Sequence, residues 1–254
     1  MVSLRSWVTS TQVQLGAHLL QHMVATRDED VRAGVDWAAA ALPAAYASLE
    51  RLAGILETSG KPAAAAYLRT KLPTTKNIRS GDLGEVIGKE VATSELGYTA
   101  VAKLRWKDHR EMAMRGDDMI GVRVPETGPL EFLKGEAKSI DSLDTRTVEA
   151  ADRALRADNG LPSSHALAFV ADRLHGQGDD ALARLIDKAQ LEDGISHQQV
   201  EQLLFAFTGS NPRNLLQTNT EAYHEPVRRL AVGLQVRDHQ AFVAAVYDKA
   251  VTDA

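Results

Sequence analysis

The chain of 254 residues contains no cysteine, and this absence excludes two kinds of site. Neither a disulfide nor a zinc site built on thiolates can form, which is compatible with a reducing cytoplasm. Long apolar runs are also lacking. Residues 1–7 have no continuous apolar segment of the signal-peptide type, and the alanine-rich stretch 37–47 is interrupted by Pro43. We therefore expect a cytoplasmic protein without a membrane span.

Positive charge is in short supply as well. The 29 Lys and Arg residues are outnumbered by 34 Asp and Glu, so the formal net charge is −5. Proteins that coat nucleic acid nonspecifically do so by neutralising phosphates with Lys and Arg, and this chain does not fit that class. Any contact with nucleic acid must come from a local patch. By contrast, hydrophobic residues make up 44% of the chain, enough for a large core in one large or two small domains.

The first 75 residues differ in pattern from the rest. Apolar residues between positions 35 and 72 recur at helical spacing, so we predict a helical N-terminal region over 1–75 and regard it as a candidate docking region for a partner. The proline-containing segment 72–77 is typical of a connection. Residues 76–254 would then form a second domain.

Alternation and spacing predict a definite order of elements after the connection. We expect a helix at 82–95, strands at 99–106, 119–124 and 130–138, a helix at 148–158 and a buried strand at 165–171. Further on we expect a helix at 179–188, a strand at 229–236 and a helix that Asp238 caps; periodicity leaves 200–207 open between strand and helix. A helix between the third and fourth strands permits a crossover, which indicates an α/β fold with a mixed sheet.

Glu136 and Lys138 carry the most informative chemistry. Side chains alternate faces along a strand, so these two should project side by side. With Asp118 from the neighbouring strand they would form a compact site for a metal ion and a phosphate, which suits phosphodiester hydrolysis. Asp118 and Glu136 are the expected ligands of one or two Mg²⁺ ions, which Mn²⁺ can replace. Lys138 would orient the attacking water and offset charge in the transition state.

The order of elements and these acidic residues resemble the PD-(D/E)xK, or restriction-endonuclease-like, nuclease superfamily, whose core is an αβββαβ unit. The resemblance implies catalytic roles for Asp118, Glu136 and Lys138, and for Glu85 on the first helix. The proline of the motif is absent, because Gly116 and Asp117 precede the acid. Asp117 therefore remains a rival to Asp118 as the metal ligand.

Three segments, 80–85, 104–111 and 135–139, look like the nuclease subunit of the Hachiman anti-phage defence system, the HamA-like family. That resemblance implies DNA as substrate and a helicase partner that controls the nuclease. The proposed chemistry neither requires nor excludes a 2′-hydroxyl, so RNA stays open as a substrate. The same fold could also belong to a restriction-type nuclease or to a noncatalytic binding or assembly module.

Glu85 has two interpretations of equal weight. Its helical position places it near Gly81 and Gly88, where it could take a second metal or hold the lysine. It could equally be a solvated glutamate paired with Lys89 one turn later.

A set of basic residues could grip nucleic-acid phosphates, although the solvated face of an edge strand explains most of them equally well. Its members are Lys103, Arg105, Lys107, Arg110 and Arg115. For Arg115 a structural ion pair is the equal alternative, and we expect His109 to be an ordinary loop histidine.

Overall fold

The computed structural model describes residues 3–101, 103–112 and 116–253. Its strands are β1 (Thr9–Leu15), β2 (His18–Ala25), β3 (Thr99–Ala100), β4 (Met119–Arg123), β5 (Glu131–Ile140), β6 (Val200–Thr208) and β7 (Arg228–Val236). Its helices are α1 (Asp28–Tyr46), α2 (Leu49–Lys71), α3 (Lys76–Glu90), α4 (Thr145–Arg156), α5 (Ser164–Gly176), α6 (Asp180–Lys188), α7 (Arg213–Glu221) and α8 (His239–Asp253). In these parts of the chain, no helix is both long and apolar enough to cross a membrane.

All seven strands of the described residues join one mixed sheet in the order β1-β2-β7-β6-β5-β4-β3. The central strands β5, β6, β7 and β2 run parallel, whereas β1, β4 and β3 pair antiparallel with their neighbours. Met119, the first residue of β4, is paired with Gly135. The rest of β5 therefore extends past the start of β4, and its backbone on that side is open to side-chain contacts.

Helices cover both faces of the sheet. On one face α1, α3 and α8 pack against β6 through a buried cluster that includes Leu42, Ile87, Phe205 and Phe242. On the other face lie α4 and α7, in a cluster with Leu155, Leu204 and Leu216, and α5 and α6, in a cluster with Phe132, Leu174 and Ile186. The predicted α/β class with a mixed sheet is confirmed.

Glycines let α3 lie unusually close to the sheet. A Cβ atom at Gly84 would stand 2.8 Å from the Cβ of Ser139 on β5, and one at Gly88 would stand 2.9 Å from the Sδ of Met119 on β4. Of the two glycines expected near Glu85, Gly88 therefore lies against the sheet, whereas a Cβ atom at Gly81 would meet nothing within 4 Å. This close approach carries Glu85 to the sheet.

Several predicted elements are confirmed with small shifts of their ends. The strands expected at 119–124, 130–138 and 229–236 are β4, β5 and β7, and the helices expected at 82–95, 148–158 and 179–188 correspond to α3 with a following π turn, α4 and α6. The helix capped by Asp238 is α8, and the open segment 200–207 is strand β6.

The expectation of a helical region over 1–75 is wrong for residues 9–25. They form the hairpin of β1 and β2, and β2 pairs in parallel with β7. Four consecutive residues in the middle of β2 are buried, so this strand lacks the alternation by which half-buried strands are recognised. The docking role of the region stays a prediction.

The strand expected at 99–106 ends after Ala100, and a 3-10 turn covers Leu104–Trp106. Ala102 lies outside the described residues. The alternation of basic residues that suggested a strand has another cause here, because Lys103 and Lys107 each bind a different group inside the protein.

The buried strand expected at 165–171 is instead part of helix α5. Ser163 accepts a hydrogen bond from the N–H of Ala166 and caps this helix. The apolar run fits a strand and a buried helix equally, and the serine cap is the local signal that decides between them. The strand that follows the crossover is β6, the parallel neighbour of β5. Along the chain, α4, α5 and α6 therefore all come between these two strands.

We expect Gly84→Ala to lower the free energy of unfolding by about 1–3 kcal/mol, because the new Cβ would push α3 away from Ser139. Gly81→Ala on the same helix is the matched control and should stabilise by up to about 1 kcal/mol, since its Cβ has open space. Urea denaturation followed by circular dichroism measures both. Equal effects of the two substitutions would contradict the close contact.

Candidate active site

The neighbouring residues Asp117 and Asp118 point to different partners. Asp118 accepts a hydrogen bond at Oδ2 from the backbone N–H of Ala137, at 3.0 Å, where β5 extends past β4. Asp117 accepts bonds at Oδ2 from the N–H and the hydroxyl of Ser163, both at 3.1 Å, and its Oδ1 lies 3.5 Å from Nζ of Lys134. Asp117 thus holds the start of α5 and a buried ammonium, while Asp118 lies beside the predicted Glu-x-Lys pair.

Glu136 and Lys138 project from the same face of β5, opposite to the face on which Ser139 meets α3. Nζ of Lys138 donates a hydrogen bond to Oε1 of Glu136. Glu136 is 9% exposed, and Lys138 is more accessible. The Glu-x-Lys pair predicted from strand periodicity is therefore an ion pair at the edge of the protein interior.

Glu85 reaches the same region from α3. It lines a small cavity together with Lys103 and Asp118. Its Oε2 is buried and accepts no hydrogen bond from the described residues. The alternative of a solvated pair with Lys89 is wrong, because Nζ of Lys89 lies 2.9 Å from Glu90.

Burial and crowding of negative charge raise the pKa of two of these carboxyl groups. Burial is the larger cause for Glu85, the charge of Asp118 is the next, and together they raise its pKa to about 8. The same two causes raise the pKa of Glu136 to about 7, although Lys138 opposes the shift. Asp118 therefore interacts with Glu85 on one side and with Glu136 on the other.

This donor set fits a hard divalent cation. A buried carboxylate oxygen of Glu85 without a donor, next to the carboxylate of Asp118 that repels it, is the environment that such a cation relieves. No group of three or more His, Asp or Glu side chains forms a ready metal cage within residues 3–101, 103–112 and 116–253. Mg²⁺ commonly takes only one or two protein carboxylates and completes its shell with water and phosphate, so Asp118 and Glu136 suffice as a pair.

Two of the basic residues expected to bind phosphates are engaged inside the protein. Nζ of Lys103 donates to the carbonyl oxygen of Asp117 at 2.6 Å and lies 3.8 Å from Oδ1 of Asp118. Nζ of Lys107 lies 2.6 Å from both carboxylate oxygens of Asp82, and this ion pair is almost completely buried. These lysines hold the segment before β4 in place.

Two further basic residues of the predicted set are bonded to the protein backbone. Arg105 and Arg110 each donate a hydrogen bond to a backbone carbonyl oxygen, those of Ala44 and Arg69, both at 3.2 Å. Nδ1 of His109 accepts a hydrogen bond from the N–H of Glu111, and this histidine is exposed. The prediction for Arg115 falls outside the described residues.

Sequence reasoning missed two supporting residues, Lys134 and Ser163. Lys134 is 1% exposed and donates to the carbonyl oxygens of Ala157, at 2.6 Å, and Leu161, at 3.0 Å. A lysine within the apolar run that forms β5 was a visible signal, because such a charge needs a partner when buried. Ser163 could have been recognised only as a helix cap.

Comparison with known proteins agrees with the resemblance to the HamA-like family that segments 80–85, 104–111 and 135–139 carry. The family model described as HamA matches residues 3–250. The chain belongs to the HamA family. A Bacillus cereus relative named Hachiman protein HamA is 27% identical over 179 residues, which are 70% of this chain and 63% of that protein. This HamA-family chain therefore aligns with less than two thirds of the relative's length.

Asp117→Asn and Asp118→Asn should have different effects on stability, although the residues are adjacent. Asp117→Asn leaves the buried ammonium of Lys134 without its carboxylate and should lower the free energy of unfolding by about 2–4 kcal/mol. Asp118→Asn keeps an oxygen for the N–H of Ala137 and removes a repulsive charge, so it should leave stability unchanged or higher. Urea denaturation at neutral pH without divalent cations measures both. An equal loss in the two variants would contradict the assignment.

Metal-free protein should lose stability as the pH rises from about 4.5 to about 8, the interval between the ordinary pKa of Glu85 and its raised value. In that interval the folded state binds more protons than the unfolded state, so the free energy of unfolding decreases with pH. Glu85→Gln should remove about 1–3 kcal/mol of this decrease. Urea denaturation in EDTA at pH 5 and pH 8 measures it.

The exposed Glu57 on α2 provides the matched control, since Glu57→Gln should leave the decrease as it is in the unmodified protein. If Glu85→Gln showed the same dependence on pH as Glu57→Gln, the crowding of Glu85 with Asp118 would be refuted.

Proposed function

We propose that this HamA-family protein is a metal-dependent nuclease that cuts DNA as the effector of a Hachiman anti-phage defence complex. The observation that carries the proposal is the placement of Asp118, which bonds to β5 beside the Glu136–Lys138 pair and shares a cavity with Glu85. Three carboxylates and an ammonium from α3, β5 and the residue before β4 are the groups that the PD-(D/E)xK resemblance requires. The αβββαβ nuclease core remains part of the proposal.

The residues have separate roles in the proposed reaction. Asp118, fixed by the N–H of Ala137, and Glu136 would hold the divalent cation, with Glu85 as a third carboxylate on the far side of Asp118. When bound, Mg²⁺ or Mn²⁺ would activate water and offset charge on the phosphate oxygens. Lys138 orients the attacking water through its ammonium group, which also places positive charge beside the phosphate. Lys103 keeps the segment that carries Asp118 in position.

The helicase partner is proposed from the family resemblance of the sequence and from the charge of the chain. The Bacillus cereus relative carries the name of the Hachiman system. A net charge of −5 gives this chain little affinity of its own for nucleic acid. A helicase that loads DNA would remove the need for such affinity, and it would limit cleavage to the moments when the complex is engaged.

We expect Mg²⁺-dependent cleavage of a fluorophore-labelled DNA duplex that falls by about 100-fold or more in Glu136→Gln and in Lys138→Met, because each loses a group acting on the reacting phosphate. Glu126→Gln, in the exposed turn between β4 and β5, is the matched control and should cleave as the unmodified protein does. EDTA should abolish cleavage. The rates are measured on gels for duplex DNA, single-stranded DNA and RNA of the same sequence.

The same assay separates the catalytic proposal from its competitors. Equal rates in all four proteins would overturn the catalytic proposal and leave the noncatalytic assembly module. Faster cleavage of RNA would transfer the proposal to an RNA-directed nuclease. If the isolated chain degraded duplex DNA at physiological salt as efficiently as its complex with a helicase, the role of that partner in loading DNA would be refuted.

A further inference from the structure

A cavity of about 270 Å³ opens between the end of α2 and the segment 104–110. Its described wall includes two lysines, two arginines and a histidine but a single carboxylate, that of Asp108. The basic members are Lys71, Arg105, Lys107, His109 and Arg110. Such a volume is roomy compared with the ~30 Å³ that one water occupies. In a chain with a net charge of −5, this wall is a local concentration of positive charge.

The guanidinium groups of the wall are held in place by the backbone. Arg105 uses Nη2 for the carbonyl oxygen of Ala44, and Arg110 uses Nη1 for that of Arg69. Nε of Arg105 is buried and has no acceptor among the described residues. A buried donor without an acceptor is costly, and the fork of an arginine matches the oxygens of a phosphate. An anion that reached the guanidinium group of Arg105 would offset this cost.

The cavity adjoins the small cavity of Glu85 and Asp118, because Leu104 lines both. Lys107 lines the cavity and is bonded to Asp82 of α3. Asp82 precedes Glu85 by three residues, which is about one helical turn or ~5 Å along the axis. Through Lys107 and Asp82 the cavity is linked to the turn of α3 before Glu85, so a strand bound at the site could extend to it.

We propose that this cavity, the phosphate pocket, binds a backbone phosphate of the nucleic-acid strand that the candidate active site cuts. The inference rests on the proposed nuclease function and adds to it a binding subsite on α2 and the segment 104–110. Lys71, at the C-terminal end of α2, belongs to this subsite although its sequence neighbourhood carries no motif.

The cations of the pocket are not equally available to a ligand. The ion pairs of the described residues include Lys107 with Asp82 at 2.6 Å and Arg110 with Glu111 at 3.5 Å, but neither Lys71 nor Arg105. Nζ of Lys71 lies 5.9 Å from the centroid of the Tyr67 ring. Lys71 is therefore the residue whose removal disturbs the protein least and the pocket most.

The test compares Lys71→Gln with Lys61→Gln in the full-length chain. Both lysines lie in the part of α2 after the kink at Gly60, and they are about 15 Å apart along the helix axis. We expect Lys71→Gln to weaken binding of a fluorescein-labelled DNA by about three- to tenfold, in single-stranded and duplex form. The slope of log Kd against log salt should decrease by about 0.7–0.9, because one phosphate contact is lost. Lys61→Gln should change neither quantity. Fluorescence anisotropy in EDTA and low salt measures binding without cleavage.

Competition identifies the bound chemistry. Inorganic phosphate should compete with the labelled DNA in the unmodified protein and less in Lys71→Gln. If polyglutamate bound in a Lys71-dependent manner while DNA binding stayed unchanged, the pocket would be a site for an acidic protein segment, and the nucleic-acid assignment would be overturned.

The outcomes for the pocket and for the nuclease are separable. If the unmodified protein cleaves DNA and Lys71→Gln binds DNA with unchanged affinity and salt slope, the phosphate pocket is refuted and the nuclease proposal stands. If binding depends on Lys71 but no cleavage occurs with Mg²⁺ or Mn²⁺, the pocket stands and the catalytic proposal fails. Absence of DNA binding at low salt in the unmodified protein overturns the pocket directly.

Discussion

The buried ammonium of Lys134 is the constraint on which the candidate site depends. With 1% of its surface exposed, this charge must be met inside the protein, and two carbonyl oxygens and Asp117 meet it. Because Asp117 is drawn to Lys134 and to the start of α5, Asp118 is left to turn toward the N–H of Ala137. One strand, β5, thus supplies the Glu-x-Lys pair and, two residues earlier, the lysine that determines which aspartate joins the pair.

Around Asp118, the positive charge of each lysine lies next to one acidic residue. Lys138 is bonded to Glu136, Lys107 to Asp82, and Lys103 lies near Asp118 while bonded to the backbone of Asp117. Glu85 keeps a buried oxygen that has no donor among the described residues. A protein selected only for stability would not retain such crowding of negative charge, and strain of this kind is found where a ligand relieves it.

The strands that could be predicted from the sequence are those that one clear pattern of apolar residues marks. β4, β5 and β7 were found because alternation or a bounded apolar run marks them, and Glu136 and Lys138 were found through strand periodicity alone. β2 was missed because both of its faces are covered, and α5 was taken for a strand because seven apolar-rich residues suit either element. The different partners of Asp117 and Asp118 could not be predicted, since they depend on Lys134, which comes close to Asp117 only after the sheet has formed.

The parallel pairing of β2 with β7 has a consequence for how the protein reaches its structure. Leu20 is registered with Ala231, so the middle of the sheet joins residues more than two hundred positions apart. Contacts of such long range form late, because closing so large a loop loses much chain entropy before any contact compensates for it. During synthesis, one edge of β2 stays unpaired until β7 has left the ribosome. The short β1, already folded back on the other edge of β2, covers one side of that strand in the meantime and limits its exposure to other chains.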